Sequence, residues 1–394
     1  MKKRYFSLFL LIFTCLFLFA CANEEANETV ITTIAEKEDI PMKNPDMYEG
    51  FEQGIFVASD GTVLPYRYFL PTDYDFGERE YPVFLYMHGN GSRGTDNKSH
   101  LGADTINNAI YQSNYDCIMI APQCPKESEW TLNASIGDVN TYPGSPAYAE
   151  FLESGEPYGS KYFCAAAELL DKFIKDYRVD TSRIYLGGSS NGAGAVWNFM
   201  ALYPEVFAAG IPVAGSRATA DAVYSIAHRY KNTAIWAFHG DKDGTVPVQG
   251  TRTLANAIKE IGGNIIYTEV SGATHGTIWK IAAETEGIVD WLFAQSNNSF
   301  KNTLSNEKGA PLATPTNLVW GESDVTWDAV DNAGAYKVTL YIDGKAVKVY
   351  YTSTNSFTPK ISYRDGLEYG ISVRAFPSTN EYSIGGESEV LIRQ

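Results

Sequence analysis

Gly188-Ser189-Ser190-Asn191-Gly192 follows the apolar run Arg183-Ile184-Tyr185-Leu186-Gly187 and opens a helical pattern that starts at Asn191. It is a Gly-x-Ser-x-Gly turn from strand to helix. Such a turn strains the backbone at the serine, and glycine at 188 and 192 leaves room for the helix to pack back across the strand. The Ser190 hydroxyl is lifted to the end of a sheet, and the Asn191 N–H is aimed into the same space. With 34 Gly in 394 residues a chance match is easy. The pentapeptide therefore gains meaning only from its partners.

Outward from it, the chain alternates short β-rich runs with helical stretches. Strands are expected at Ile55–Ala58, Tyr66–Leu70, Val83–Met87, Cys117–Ala121, Ile184–Leu186, Ala208–Val213, Ala234–Phe238 and Ile265–Glu269. Helices are expected at Tyr162–Asp176, Asn191–Leu202, Ala218–Tyr230, Gln249–Ile261 and Thr277–Gln295. This alternation implies an α/β fold, a parallel sheet covered on both faces. The two leading strands lack an intervening helix and should pair antiparallel at one edge.

Residues 296–313 are rich in Asn, Ser, Lys, Gly and Pro and read as a linker between a catalytic domain, 49–295, and a second domain, 314–394. There the pattern turns to alternation, as in Tyr336-Lys337-Val338-Thr339-Leu340-Tyr341-Ile342, punctuated by turn signals such as Asp343-Gly344. That predicts a small all-β sandwich. With Trp327 as its core tryptophan it resembles a fibronectin type III module, which implies a spacer more than a binding unit.

The N-terminus begins Met1-Lys2-Lys3-Arg4 and continues apolar to Ala20, the pattern of an export signal over residues 1–20. Leu18-Phe19-Ala20-Cys21 resembles the bacterial lipobox, which implies lipidation at Cys21 and a cell-surface lipoprotein. The other reading is plain secretion after cleavage near Ala20 or Ala22. Residues 21–48 then form an acidic tether. Cleavage removes three cations and no acids, taking the net charge from −16 to −19. Such a chain has no bulk attraction to nucleic acid or anionic lipid, so any membrane contact would be through Cys21. Of the other cysteines, Cys117, Cys124 and Cys164 show no metal-ligand spacing. At least one should be a buried free thiol, with a Cys117–Cys124 bridge as the alternative.

Acyl transfer through serine needs a base for the hydroxyl proton and a carboxylate to hold that base. After a nucleophile on such a turn the partners follow in the order acid, then histidine. His88, His100 and His239 lie too early and His228 falls in a helical pattern, which leaves His275 in the loop Gly272-Ala273-Thr274-His275-Gly276. For the acid, Asp241 and Asp243 compete within His239-Gly240-Asp241-Lys242-Asp243-Gly244-Thr245-Val246-Pro247. The strand Tyr81–Met87 runs into His88-Gly89-Asn90-Gly91, a loop able to bring the Asn90 N–H toward a developing oxyanion beside that of Asn191. The loop lacks phosphate-cradle spacing, and no cofactor or metal is expected.

Together with Ala121-Pro122-Gln123-Cys124-Pro125 and Trp130, these motifs make residues 50–295 resemble the secreted esterases of carbohydrate esterase family one. Related prolyl-oligopeptidase-like and polyhydroxyalkanoate-depolymerase-like hydrolases share the pattern. The resemblance implies an α/β-hydrolase with Ser190, Asp243 and His275 as its triad, and leaves Asp241 a solvated or turn-capping residue. Where relatives often carry Met after the nucleophile, this chain has Asn191.

Trp130, Trp279 and Gln123 are candidate substrate contacts, core packing being the alternative for the tryptophans. The Gly-, Pro- and Tyr-rich segment 131–159 is long for a connection and reads as a lid or cleft wall. The family resemblance implies a carbohydrate ester as substrate, with feruloyl or acetyl-xylan esterase activity on plant cell walls. A peptidase or polyester depolymerase is the alternative enzyme, and a catalytically silent glycan-binding surface protein the alternative class.

Overall fold

The structure, a computed structural model, describes residues 42–131, 160–216, 223, 226–304, 310–379 and 382–393. The export signal, Cys21, the expected lid from 132 onward and most of the expected helix Ala218–Tyr230 lie outside these residues. So do 305–309 of the expected linker.

Eight strands form one sheet in the order β1-β2-β4-β3-β5-β6-β7-β8. They are β1 Glu52–Val57, β2 Val63–Phe69, β3 Tyr81–Met87, β4 Ile118–Pro122, β5 Val179–Ser189, β6 Ala209–Val213, β7 Ala234–Gly240 and β8 Ile265–Val270. β1 and β2 pair antiparallel at the edge, β2 meets β4 antiparallel, and the remaining pairs are parallel. Every residue of β3 is buried, as expected of a strand covered on both faces. Its alternation divides the core. Val83, Leu85 and Met87 join the layer containing Phe163, Leu170 and Trp197, whereas Phe84 and Tyr86 join the layer of Ile106, Ile110 and Leu292.

Helix Lys161–Asp176 is amphipathic, buries Phe163, Leu169, Leu170 and Phe173, and is capped by Ser160, whose side chain accepts the Phe163 N–H. Helix Asn191–Leu202 is buried at all but its first and last residues and lies against β5 and β6. Helix Val248–Glu260 follows β7. The sequence gives no hint of helix Ile106–Gln112, and the last expected helix differs in kind. Thr277–Gln295 is two short helices, Ile278–Ala283 and Ile288–Phe293, separated at Gly287, which has φ +77°. The first helix ends at Ala283, and Gly287, which takes this left-handed conformation at little cost, is the N-cap of the second. The described end of the expected helix Ala218–Tyr230, Ala227–Tyr230, is a 3₁₀ turn.

The C-terminal domain contains two separate antiparallel sheets. Ala333–Ile342 lies between Lys345–Thr352 and Tyr369–Pro377, and Leu391–Ile392 adds an edge to the latter. A second sheet joins Val319–Trp320, Val325–Thr326 and Ser356–Phe357. The hairpin turns at Asp343 and Gly344, both at positive φ, the backbone that Asp-Gly turns favour. Trp327 packs edge-on against Tyr336 over Val325, Val338, Ile371 and Val373. The Pro377 carbonyl accepts hydrogen bonds from His228 Nε2 and Arg229 Nη1, at 3.0 and 3.2 Å.

Cys117, Cys124 and Cys164 are free, which removes the Cys117–Cys124 bridge. The two residues flank β4, and seven residues of extended chain span roughly 23 Å, well beyond disulfide reach. Burial pushes the Cys117 and Cys124 thiols up to about 12 and that of Cys164 to about 11.

Candidate active site

β5 ends at Ser189 and the next helix begins at Asn191, so Ser190 alone makes the turn, with φ +56° and ψ −122°. A serine rarely adopts this backbone, and its surroundings must enforce it. The Ser190 N–H donates to Val213 O at 2.9 Å, and Ser190 O accepts the Gly194 N–H. One strand further on, Ala214 is also at positive φ (+58°) and donates its N–H to Phe238 O at 2.9 Å. A Cβ on Gly188 would lie 2.6 Å from Gly192 O, and one on Gly192 would lie 1.9 Å from Met87 O.

His275 sits in the loop after β8. Its Nε2 is 2.9 Å from Ser190 Oγ and its Nδ1 is 2.6 Å from Asp243 Oδ2. Asp243 comes from the loop after β7, and its side chain is fully buried. Its Oδ1 accepts the Thr245 and Val246 N–H groups, each at 2.8 Å. Burial by itself would raise its pKa, but the hydrogen bonds from His275, Val246 and Thr245 outweigh it and hold the carboxyl below its ordinary value. Asp241 has a different task. Its Oδ1 accepts the Gly272 N–H at 2.7 Å, fastening the histidine loop to the end of β7.

His239 supports the acid from behind. It is fully buried, and its Nε2 lies 3.0 Å from Val246 O and 3.3 Å from Asp243 Oδ2. A carbonyl can only accept, so the proton is on Nε2, and Nδ1 accepts from Thr251 Oγ1 at 2.7 Å. Burial lowers the pKa of this ring and keeps it neutral.

The loop after β3 reaches the same point. A Cβ on Gly89 would be 3.2 Å from Ser190 Cβ. Neither the Asn90 nor the Asn191 backbone N–H has an acceptor among the described residues. Beneath the loop, His88 Nε2 accepts the Cys124 N–H at 3.0 Å and Nδ1 is 2.8 Å from Gly89 O. His100 Nε2 donates to Ala121 O at 2.8 Å. Burial depresses both rings, His88 to about 4 and His100 to about 3.

These two rings predict an acid-labile fold. The unfolded chain takes up protons below about pH 6.5 that the folded rings refuse, so the unfolded state is the one that gains as pH falls. Their contribution is complete above pH 6.5 and is lost as the pH drops toward 4. The expected loss by pH 4 is on the order of 3 kcal/mol for each ring, seen as a falling melting temperature. A melting temperature that is flat from pH 6.5 to 4 would contradict this reading.

A cleft of about 340 Å³ opens over Ser190 and is lined by Asn90, Glu129, Asn191, His275 and Trp279 among others. Trp279 packs edge-on against His275, with ring centroids 5.5 Å apart. Trp130 and Gln123 are not in the cleft lining. Trp130 is 1% exposed and donates its indole N–H to His88 O at 2.9 Å, so it is core beneath the oxyanion loop. Gln123 is fully buried. Its Oε1 accepts the Asn97 N–H and its Nε2 donates to Asp96 Oδ1, which uses the amide to pin the Gly-rich loop. Sequence reading missed Glu129, whose only sign is its place beside Trp130 after the Pro-Gln-Cys-Pro loop.

An aligned Ser–His–Asp chain, with free N–H groups beside the hydroxyl, can transfer an acyl group through serine. A solved structure described as a thermostable esterase is 32% identical, with a TM-score of 0.51 and coverage of 63% of this chain and 64% of that one. This chain thus spans less than two thirds of that esterase. A ferulic acid esterase is 15% identical over 62% of this chain and 97% of its own, with a TM-score of 0.44. S-formylglutathione hydrolase from Staphylococcus aureus is 12% identical over 62% and 96%, with a TM-score of 0.42. No curated protein matches the chain. The phospholipase/carboxylesterase family matches residues 77–281, just over half the chain and inclusive of Ser190, Asp243 and His275. The chain belongs to the phospholipase/carboxylesterase family and has the α/β-hydrolase fold.

Proposed function

We propose that this protein is an exported serine carboxylesterase acting through an acyl-enzyme on Ser190, with plant cell-wall polysaccharide esters as its substrate class. The observation that carries the mechanism is the unbroken chain from Ser190 Oγ through His275 to Asp243. In this reading His275 Nε2 takes the hydroxyl proton as Ser190 Oγ attacks the ester carbonyl carbon. Asp243 keeps the other ring proton on Nδ1 and stabilises the imidazolium. The carbonyl oxygen, now an oxyanion, is received by the N–H groups of Asn90 and Asn191. His275 then returns the proton to the departing alcohol, and water repeats the sequence to release the acid.

The substrate class is supported by the export-type N-terminus, the resemblance of the motifs to carbohydrate esterases, and Trp279, an aromatic wall beside the nucleophile on which a ring can stack. Lipidation at Cys21 would hold the enzyme at the cell surface. A fluorophosphonate probe should label the wild-type protein and not Ser190→Ala. Equal labelling of both would remove Ser190 from its role. Among methyl ferulate, acetylated xylan, short p-nitrophenyl esters and a proline-containing peptide, the esters should be cleaved. Turnover of the peptide alone would reverse the substrate assignment.

A further inference from the structure

Three strand ends meet at the cleft, and one carboxylate touches two of them. Glu129, in the loop after β4, accepts from Asn90 Nδ2 on Oε1 at 2.8 Å and from Asn191 Nδ2 on Oε2 at 3.3 Å. Asn90 belongs to the loop after β3 and Asn191 opens the helix after β5. No backbone hydrogen bond joins these two residues among those described. The segment bearing Glu129 is itself fastened to Asn191, since the Trp130 N–H donates to Asn191 Oδ1 at 2.8 Å and Asn191 Nδ2 also reaches Thr131 Oγ1 at 2.8 Å. On the far side Arg93 Nε holds the Asn90 carbonyl at 3.1 Å, and Arg93 Nη1 lies 3.7 Å from Glu129 Oε1.

We infer that Glu129 is a positioning residue that sets the spacing of the two oxyanion-binding N–H groups by bridging the side chains of Asn90 and Asn191. This rests on the roles proposed above for Ser190, Asn90 and Asn191. When Ser190 Oγ bonds to the carbonyl carbon, the π pair moves onto the carbonyl oxygen and the serine proton goes to His275 Nε2. The two N–H groups must then meet one new negative oxygen at hydrogen-bond distance. A carboxylate suits the bridge because both its oxygens accept and each faces an amide donor. Glutamine keeps one acceptor and turns an NH2 group toward the other donor. Alanine removes the bridge and leaves Asn90 free to swing, its Oδ1 already being buried without a partner.

The test uses the full chain, p-nitrophenyl acetate as substrate and benzeneboronic acid as a tetrahedral adduct former on Ser190. Glu129→Ala is expected to lower kcat/KM by about 10- to 100-fold through kcat, with KM changed little, since displaced oxyanion donors act on the transition state. Boronate affinity should fall by a similar factor, and Glu129→Gln should lie between wild type and Glu129→Ala. Glu129→Gln carries the test by itself should the alanine variant not fold. Boronate affinity and kcat within about twofold of wild type in the folded variants would overturn the inference. So would a loss of kcat with boronate affinity unchanged, which a merely structural residue would give. Ser190→Ala in the same assay separates the two readings. If it retains wild-type turnover, the nucleophile assignment falls and takes this one with it. If it is inactive while the Glu129 variants behave as wild type, only the positioning role falls.

Discussion

Ser190→Ala should cut kcat on a p-nitrophenyl ester by about a million-fold, His275→Ala by about as much, and the double variant by no more than either. The three side chains act as one device. Among the described residues the Ser190 proton has a single acceptor, at 2.9 Å, and that acceptor works only while Asp243 keeps the other ring proton on Nδ1 at 2.6 Å. Once one member is gone the other has nothing left to do, so the losses do not add. Asp243→Asn should cost about 10⁴-fold, because an amide NH2 facing Nδ1 favours the tautomer whose Nε2 is already protonated. KM should stay near the wild-type value throughout, since none of these changes removes ground-state contacts. Steady-state kinetics on folded, purified variants decides the matter. A double variant far weaker than either single would show that His275 serves a purpose apart from Ser190.

Gly192→Ala should destabilise the protein by about 3 kcal/mol or more, enough to leave much of it unfolded or insoluble. The added methyl would lie 1.9 Å from Met87 O, 2.5 Å from Met87 C and 2.6 Å from His88 O. All three are backbone atoms at the end of a fully buried central strand, so no flexible side chain can swing aside. The control is Gly244→Ala, where a Cβ would meet nothing within 4 Å and the change should be within about 0.5 kcal/mol. Denaturant midpoints measure both. Similar midpoints for the two variants would mean that the elbow relaxes far more easily than its packing indicates.

The fold is readable in the sequence wherever burial repeats with a fixed period. β3 and the stretch Ile184–Leu186 of β5 are apolar runs bounded by glycine or charge, and helix Asn191–Leu202 begins at the pentapeptide itself. Periodicity reads through the break at Gly287 because the apolar residues on either side stay in phase. A single glycine cannot show whether it will take a positive φ. Polar side chains are harder still. Gln123 and Trp130 stand in a loop that does reach the site, yet their hydrogen-bonding groups turn inward to Asp96, Asn97 and His88. Chain position tells that such residues are near, and only packing tells which way they face. Glu129 has no partner at any regular spacing. Its neighbours Asn90 and Asn191 lie 39 and 62 residues away.

Ser190 and Ala214, both at positive φ, have a joint consequence. Ala214 N–H is bound to Phe238 O on β7, and Ser190 N–H is bound to Val213 O, the residue just before Ala214. These two bonds make a short backbone ladder from the strand that presents the acid to the residue that carries the hydroxyl. The distance between acid and nucleophile is therefore gauged by main-chain atoms, and the imidazole enters a gap whose width is already set. A side chain in that gap can be exchanged without moving its walls, whereas slippage of β6 would displace both walls together.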